Sequence, residues 1–452
     1  MRQIDIHKLA DDARFSKFHA GVLFWCALVI IFDGYDLAVA GIALPSIMQE
    51  LKVPATQAGV MVSSALFGAM CGAVLLGTMA DRIGRRRTIA LCVALFSIFT
   101  ALAGMANDPV TFSAARFVAG LGIGGVMPAV VAHMQEYSPR RLKTTLVTLM
   151  FSGYSVGGMI AAVLGKGLIA SYGWQAVFYA AAAPIAVIPF LLALLPESMA
   201  YLAKRNRQAQ LASIAARLSP GMVPRVNDSF VVASSTPGGK SASGSMGTLL
   251  ADGRAQSTCM FWITFFMCLF MVYALSSWLA KLMAGAGYSL GSALTFVLVL
   301  NIGGMIGAIG GGMLADRFKI RNVLIGMFAL AAMSISLLGF KSPTPVLYLL
   351  LCAAGASTIG TQIVVYAYAG QFYPMEIRAT GIGVASGVGR VGAIAAPVII
   401  GTVVGLSLPL HQNFMLMAIP AVVAMCAVSM IDRRRAALPA VHTTELQSTE
   451  AH

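Results

Sequence analysis

Twelve long apolar runs constrain this chain more than any other feature. They lie at roughly 20–46, 58–80, 87–106, 110–133, 143–168, 174–195, 257–281, 291–315, 321–340, 345–368, 378–405 and 411–431. Runs of about 20 apolar residues cross a hydrocarbon core as helices, and only helices or closed barrels satisfy the backbone there. The runs lack the period-two alternation of barrel strands, which excludes the barrel. Composition points the same way. Only 11% of the 452 residues are charged and mean hydropathy is +0.82, whereas a soluble domain carries about 25% charged residues. Soluble domains of this size would lack polar coating, and disorder is excluded by the same arithmetic. The expected class is an all-α membrane protein of twelve transmembrane helices.

A polar stretch, 196–256, separates the sixth run from the seventh. It opens with a basic, helix-compatible piece from Tyr201 to Leu218 and continues into SSTPGGKSASGSMG, which has linker composition. The expected division is 1–195 as a first six-helix half, 196–256 as a cytoplasmic linker, 257–431 as a second half, and 432–452 as a tail. Orientation follows from the basic residues. The N-terminal segment, the even-to-odd loops, the linker and the tail hold 25 of the 31 Lys and Arg, whereas the opposite face holds only Lys52, Lys281 and Lys341. Arg116, Lys166 and Arg390 lie within runs. Both termini are therefore expected in the cytoplasm, and the net charge of +14 reflects topology rather than a nucleic-acid partner. The mixed-charge N-terminus does not read as a cleaved leader. Seven cysteines fall in apolar stretches without a CxxC pair, which reads as packing. No metal-ligand spacing and no ATP-binding loop is found.

The two halves repeat. Met79 to Arg82 (MADR) recurs as Leu314 to Arg317 (LADR), an offset of 235 residues. At the same offset Glu136 to Lys143 falls on Gln371 to Arg378, Gly120 and Gly125 on Gly355 and Gly360, and Gly157 on Gly392. Paired homologous halves are a transporter architecture, with the substrate near the midplane between them. Gly120 to Gly125 (GLGIGG) matches a dinucleotide fingerprint in letters, but it lies inside an apolar run with no strand before it. It reads as close helix packing.

Residues Gly77 to Arg87 (GTMADRIGRRR) resemble the signature loop of the major facilitator superfamily, with a weaker copy from Gly311 to Lys319. Pro196-Glu197-Ser198 resembles that superfamily's usual sequence after the sixth helix. Asp33-Gly34-Tyr35-Asp36 in the first run, Arg116 to Gly125 in the fourth and Gly381 to Pro397 in the eleventh together resemble the aromatic acid:proton symporters. The first hundred residues look most like the benzoate transporters of that family. The resemblance implies two pseudo-symmetric six-helix halves and proton-driven inward transport of an aromatic carboxylate in a bacterial inner membrane.

Asp33 and Asp36 are the acidic residues deepest in the runs. A charge at the bilayer centre costs about 2.5–3.5 kcal/mol by insertion scales, so a chain that keeps two has a reason to. Spaced three apart, they share a helix face. Carboxylates that share a dry site cannot both stay ionised cheaply, which suits a proton carrier. Arg116, roughly 10 Å into the fourth helix, lies at a depth similar to Asp36, so the two can pair. The pair is either a static structural bridge or one broken by protonation and so coupled to movement. Arg390, near mid-membrane, can grip a substrate carboxylate with its rigid fork or partner an acidic residue. Tyr35, Trp278, Tyr154, Phe270, Tyr273 and Tyr366 could offer the flat surface an aromatic ring needs. Asn301 is a candidate hydrogen-bonding group.

Glu136, beside Arg140, Arg141 and Lys143, reads as a gate or loop bridge, and the resemblance gives its position functional weight. Asp81 and Asp316 can accept from a neighbouring helix N-terminus and latch the halves together. Arg82, Arg85, Arg86 and Arg87 divide between topology and that latch, and Arg317 is counted with the gating residues. The sequence reading is thus a transporter and not an enzyme, without cofactor or metal, powered by a proton gradient. Its partners are a small aromatic carboxylate, protons and lipid, and it works as a monomer. Asp33, Asp36 and Arg116 are assigned to proton coupling, and Arg390, Tyr35, Trp278 and Asn301 to substrate. A facilitator-type exporter working by proton antiport is the alternative.

Overall fold

The computed structural model describes residues 3–218, 229–231, 249–250, 254–373 and 375–432. Among them are twelve helical stretches long and apolar enough to cross a membrane, here called spans 1 to 12. They are Lys17–Glu50, Ala55–Gly77, Arg85–Ala103, Pro109–Tyr137, Thr145–Tyr172, Gln175–Leu194, Ala255–Gly285, Leu290–Ala315, Ile320–Leu337, Thr344–Phe372, Thr380–Gly405 and Leu410–Ser429. Several overrun the apolar runs at their ends, because polar residues continue the helix outside the expected hydrocarbon layer. Span 4 shows how the ends are set. Asp108 accepts from the backbone N–H groups of Val110 and Thr111, and Pro109 occupies the first turn, where its missing N–H costs nothing.

Span 6 is broken. Its helix Gln175–Ala180 gives way to a 3-10 turn over Ala183–Val187 and resumes at Ile188–Leu194. Pro184 and Pro189 lack the N–H groups that would continue an α-helical ladder. The Ala181 N–H turns back to the Phe178 carbonyl, and the Tyr35 hydroxyl donates to the Val177 carbonyl at 2.7 Å.

Packing repeats between the halves. Span 1 lies on 5, 2 on 4 and 3 on 4; correspondingly 7 lies on 11, 8 on 10 and 9 on 10. The halves meet through spans 2 and 11, 5 and 8, and 1 and 7. In span 4 the glycine stripe works as packing: Gly120 and Gly124 face the backbone of Ala65 and Ala69 on span 2, where no side chain fits.

The halves touch at one end of the bundle and part at the other. At the end opposite the chain termini, Gly59 of span 2 sits against the Pro397 carbonyl of span 11 so closely that a Cβ would collide with it. The Ser63 hydroxyl donates to the Ile394 carbonyl at 2.7 Å. Continuing down the same stripe of span 11, Gly387 and Gly383 meet nothing within 4 Å. The space between the halves therefore opens toward the face that carries the termini.

Short elements at that terminal face pack on the first half. Helix Ile6–Asp11 is held by Asp11, whose carboxylate is 3.0 Å from the Lys143 ammonium and whose carbonyl accepts from the Arg140 N–H. The expected basic helix is two helices, Met199–Lys204 and Gln208–Leu218, interrupted near Asn206 with its φ of 54°. The Arg217 guanidinium stacks over Phe18, 4.7 Å from the ring centre. Residues Gln3–Asp5 and Ser229–Val231 form a parallel two-stranded pair that joins the N-terminus to the segment after span 6. The SSTPGGKSASGSMG stretch and the tail beyond Asp432 lie outside the described residues.

Candidate functional site

Span 1 carries its two carboxylates into the interior of the bundle, where both are fully buried. Asp36 is clamped. Arg116 donates through Nη1 to Oδ1 at 3.2 Å and Oδ2 at 3.1 Å, and through Nη2 to the Asp36 carbonyl at 3.0 Å. The same Nη1 reaches the Thr100 hydroxyl of span 3 at 2.7 Å. The pairing expected from depth is thus formed, with Thr100 as a partner that sequence reasoning did not single out. A lone buried charge is expensive, and the clamp neutralises both members.

Asp33, three residues earlier, has no hydrogen-bond partner on either oxygen. Arg390, from the other half, is close enough to act on it electrostatically, as is Asp36. Around this Asp33–Arg390 axis stand three tyrosines. Tyr154 and Tyr273, from spans 5 and 7, face each other across the halves, and both lie within electrostatic range of Asp33. Arg390 acts on Tyr273 and Tyr366, and the Tyr366 hydroxyl is 2.8 Å from that of Ser386. Ser386 was absent from the expected set. It lies four residues before Arg390 on span 11 and so shares its face.

A cavity fills the gap between the halves next to this cluster. Leu37, Val62, Leu66, Val272, Leu300 and Ile359 give it apolar walls. Arg116, Tyr154, Tyr273, Ser276, Ser277 and Asn301 supply polar groups. Asn301 lines the cavity, its amide donating to the Val297 carbonyl at 2.9 Å and its oxygen turned toward Gly158. Trp278 and Tyr35 lie elsewhere. Trp278 is wholly buried in the second half, its indole N–H spent on the Pro397 carbonyl at 3.1 Å. Tyr35 points toward span 6 and borders a separate apolar crevice with Ile31, Phe96 and Pro184. Tyr154 and Tyr273 occupy the places by the cavity that these two were expected to take.

A second polar cluster sits at the terminal face of the first half. Glu136 ion-pairs with Arg85, accepts from the Ser198 hydroxyl at 2.9 Å, and accepts from the Ala200 N–H at 2.7 Å. Glu197 accepts from the backbone N–H of Arg86 at 3.0 Å, at the N-terminus of span 3. Its carboxylate fits against Gly84, where φ is +99° and a Cβ would collide. A carboxylate at a helix N-terminus meets free N–H groups and the positive end of the helix dipole. Glu136 therefore holds the end of span 6 to spans 3 and 4, far from the cavity. Arg82 and Arg317 are exposed. The side chains of Asp81 and Asp316 lie outside the described residues. No cluster of three His, Cys, Asp or Glu that could hold a metal occurs among the described residues.

Comparison with known proteins places this geometry. The family model described as Major Facilitator Superfamily matches residues 26–397 and, in a second match, 309–447. A benzoate transport protein of Acinetobacter baylyi is 44% identical over 439 residues, covering 96% of this chain and 94% of that protein. A gentisate transporter of Corynebacterium glutamicum is 33% identical, covering 92% and 88%. Among solved structures, a bacterial homologue of the human lysosomal transporter Spinster, inward-facing and occupied, superposes with a TM-score of 0.72. That structure is 18% identical, with 94% of this chain and 100% of that chain covered.

Proposed function

The chain belongs to the major facilitator superfamily, a multi-pass membrane transporter rather than an enzyme, and from that premise we propose that it carries an aromatic carboxylate, benzoate, inward together with a proton. The observation that carries this reading is the buried Asp33 carboxylate, without a hydrogen-bond partner, facing Arg390 across the two halves beside a cavity lined by tyrosines and aliphatic side chains.

Arg390 has two claimants. With the cavity empty it balances Asp33. An entering carboxylate takes the guanidinium fork, and Asp33, left without its counter-charge in a dry site, takes up a proton. The ring lies against Tyr273, Tyr366 and the apolar walls, and Asn301 fixes its tilt. Proton and anion then occupy the site together as a neutral pair, which favours rocking of the halves about spans 2 and 11 and spans 5 and 8. When the carboxylate leaves, Arg390 returns to Asp33 and the proton is released. Asp36 and Arg116 complete the charged set, and no cofactor takes part: the proton gradient supplies the energy. The excess of basic residues on the terminal face supports both termini on the cytoplasmic side of a bacterial inner membrane, which makes the open end of the space between the halves the inner one. Each monomer is a complete unit. Asp81, Arg82, Asp316 and Arg317 latch the terminal face in the opposite state, while the Glu136–Arg85 bridge holds the first half together throughout.

The test is uptake of labelled benzoate by proteoliposomes under an imposed inward proton gradient, competed by hydroxylated and non-aromatic acids. Accumulation that collapses with a protonophore is expected. Absence of gradient-driven accumulation of any aromatic acid would overturn the reading, and gradient-driven expulsion would favour antiport.

A further inference from the structure

Arg116 has more binding capacity than Asp36 uses. Its Nη1 and Nη2 groups face Asp36 and Thr100, but Nε is buried with no partner. Nε and the remaining hydrogen of Nη2 form the side edge of the guanidinium, which matches the two oxygens of a carboxylate. The arginine lines the cavity between the halves, in company with Asn301, Ser276 and Ser277 and with the apolar walls of Leu37, Val62 and Leu66. It also lies at a different level from Arg390. Counted from the face opposite the termini, Arg116 is seven residues into span 4 and Arg390 fifteen into span 11, or roughly 10 and 22 Å at 1.5 Å per residue. Each arginine also has its own acidic neighbour, Asp36 for Arg116 and Asp33 for Arg390. Tyr273, twelve residues into span 7 by the same count, or roughly 18 Å, lies between the two levels, and Tyr154 of span 5 faces it across the gap.

We propose that the pathway contains two successive carboxylate stations, Arg390 and, nearer the face opposite the termini, Arg116, the second opening to an aromatic carboxylate when Asp36 is protonated. This rests on the transport reading above and adds a binding site to it. While Asp36 is ionised, Arg116 is neutralised and a second anion beside it meets a carboxylate of the same sign. Protonation leaves the guanidinium charge unopposed and its side edge open. The groups that face Asp36 are Arg116 of span 4, Thr100 of span 3, and Asp33 and Tyr35 of its own span. On the neighbouring spans 5 and 7, Tyr154 and Tyr273 face Asp33 one turn away. Asp33 answers to Arg390 and Asp36 to Arg116, so each station has its own proton acceptor.

The experiment is equilibrium dialysis of ring-labelled benzoate against the purified full-length protein in detergent, corrected for empty micelles, at mildly acidic and at neutral pH. Wild type is expected to bind two molecules per chain in acid and one at neutral pH. Asp36→Asn, which mimics the protonated acid, should bind two at both. Arg390→Ala should keep one site, seen only in acid. Since removing Arg116 alone strands a buried carboxylate, the paired variant Asp36→Asn/Arg116→Gln serves as the control, and it should bind one molecule at every pH. One molecule per wild-type chain at both pH values, with none bound by Arg390→Ala, would overturn the second station and leave the transport reading standing. Failure of wild type to bind any aromatic acid would overturn both.

Discussion

Asp33 and Asp36 lie one turn apart on the same helix and both are fully buried, yet Arg116 clamps Asp36 at 3.1 Å while Asp33 has no hydrogen-bond partner. Identical side chains in one span therefore stand in different surroundings. Asp33→Asn removes a charge that no hydrogen bond holds, so the protein should fold and exchange labelled for unlabelled benzoate across liposomes. Accumulation driven by a proton gradient should be lost. Normal accumulation in this variant would take the proton away from Asp33.

Asp36→Ala removes one member of a buried ion pair and strands Arg116. Breaking such a pair costs about 3–5 kcal/mol, so the thermal midpoint of the purified protein should fall sharply. Asp36→Ala/Arg116→Leu should recover most of the loss. A double variant no more stable than the single one would mean that the clamp is not the source.

Arg390→Lys keeps the charge and loses the fork. Hydrogen bonds to charged groups contribute roughly 1.5–3 kcal/mol, so the KM for benzoate should rise by about ten- to a hundredfold. Initial rates of uptake over a range of benzoate concentrations measure this. An unchanged KM would show that Arg390 does not hold the carboxylate.

Gly59 lets span 2 reach the Pro397 carbonyl at the closed end. A larger residue there, Gly59→Leu, should wedge the halves apart on that side and favour the opposite state. Spin labels at Lys52→Cys and Lys341→Cys, on opposite halves, would read a longer distance than in the parent protein. No change in that distance would locate the closure elsewhere.

Glu197 ties the end of span 6 to the start of span 3 through the Arg86 and Ser198 N–H groups. Glu197→Ala leaves these donors without their partner, at a cost of about 1–3 kcal/mol. The melting temperature should drop while the KM for benzoate stays near the parent value. A changed KM with unchanged stability would place Glu197 in the substrate path.

The fold was legible because the bilayer imposes one requirement on every span, and the repeat at 235 residues links spans too distant for local patterning to relate. The Asp36–Arg116 pair was legible for a similar reason: depth follows from rise per residue. Rotation about the helix axis was not, since it depends on which neighbours each face meets. Tyr35 shares a turn with Asp36, but a single residue step turns it by about 100°, toward the carbonyl that the break in span 6 leaves open. Trp278 went the same way. Ser386 and Thr100 gave no signal at all, because a hydroxyl in a helix can bond to its own backbone and needs no reason to be there. The strand pair of residues 3–5 with 229–231 joins two three-residue segments through backbone bonds, and no side-chain pattern of that length could announce it.

That strand pair also bears on how the protein is made. Residues 3–5 are synthesised before the six spans of the first half, and the strand they bind only after all of them. The pair, once formed, fastens the first half at the terminal face with residues that all precede the seventh span. The clasp therefore needs nothing from the second half: every residue in it is made before the chain re-enters the membrane.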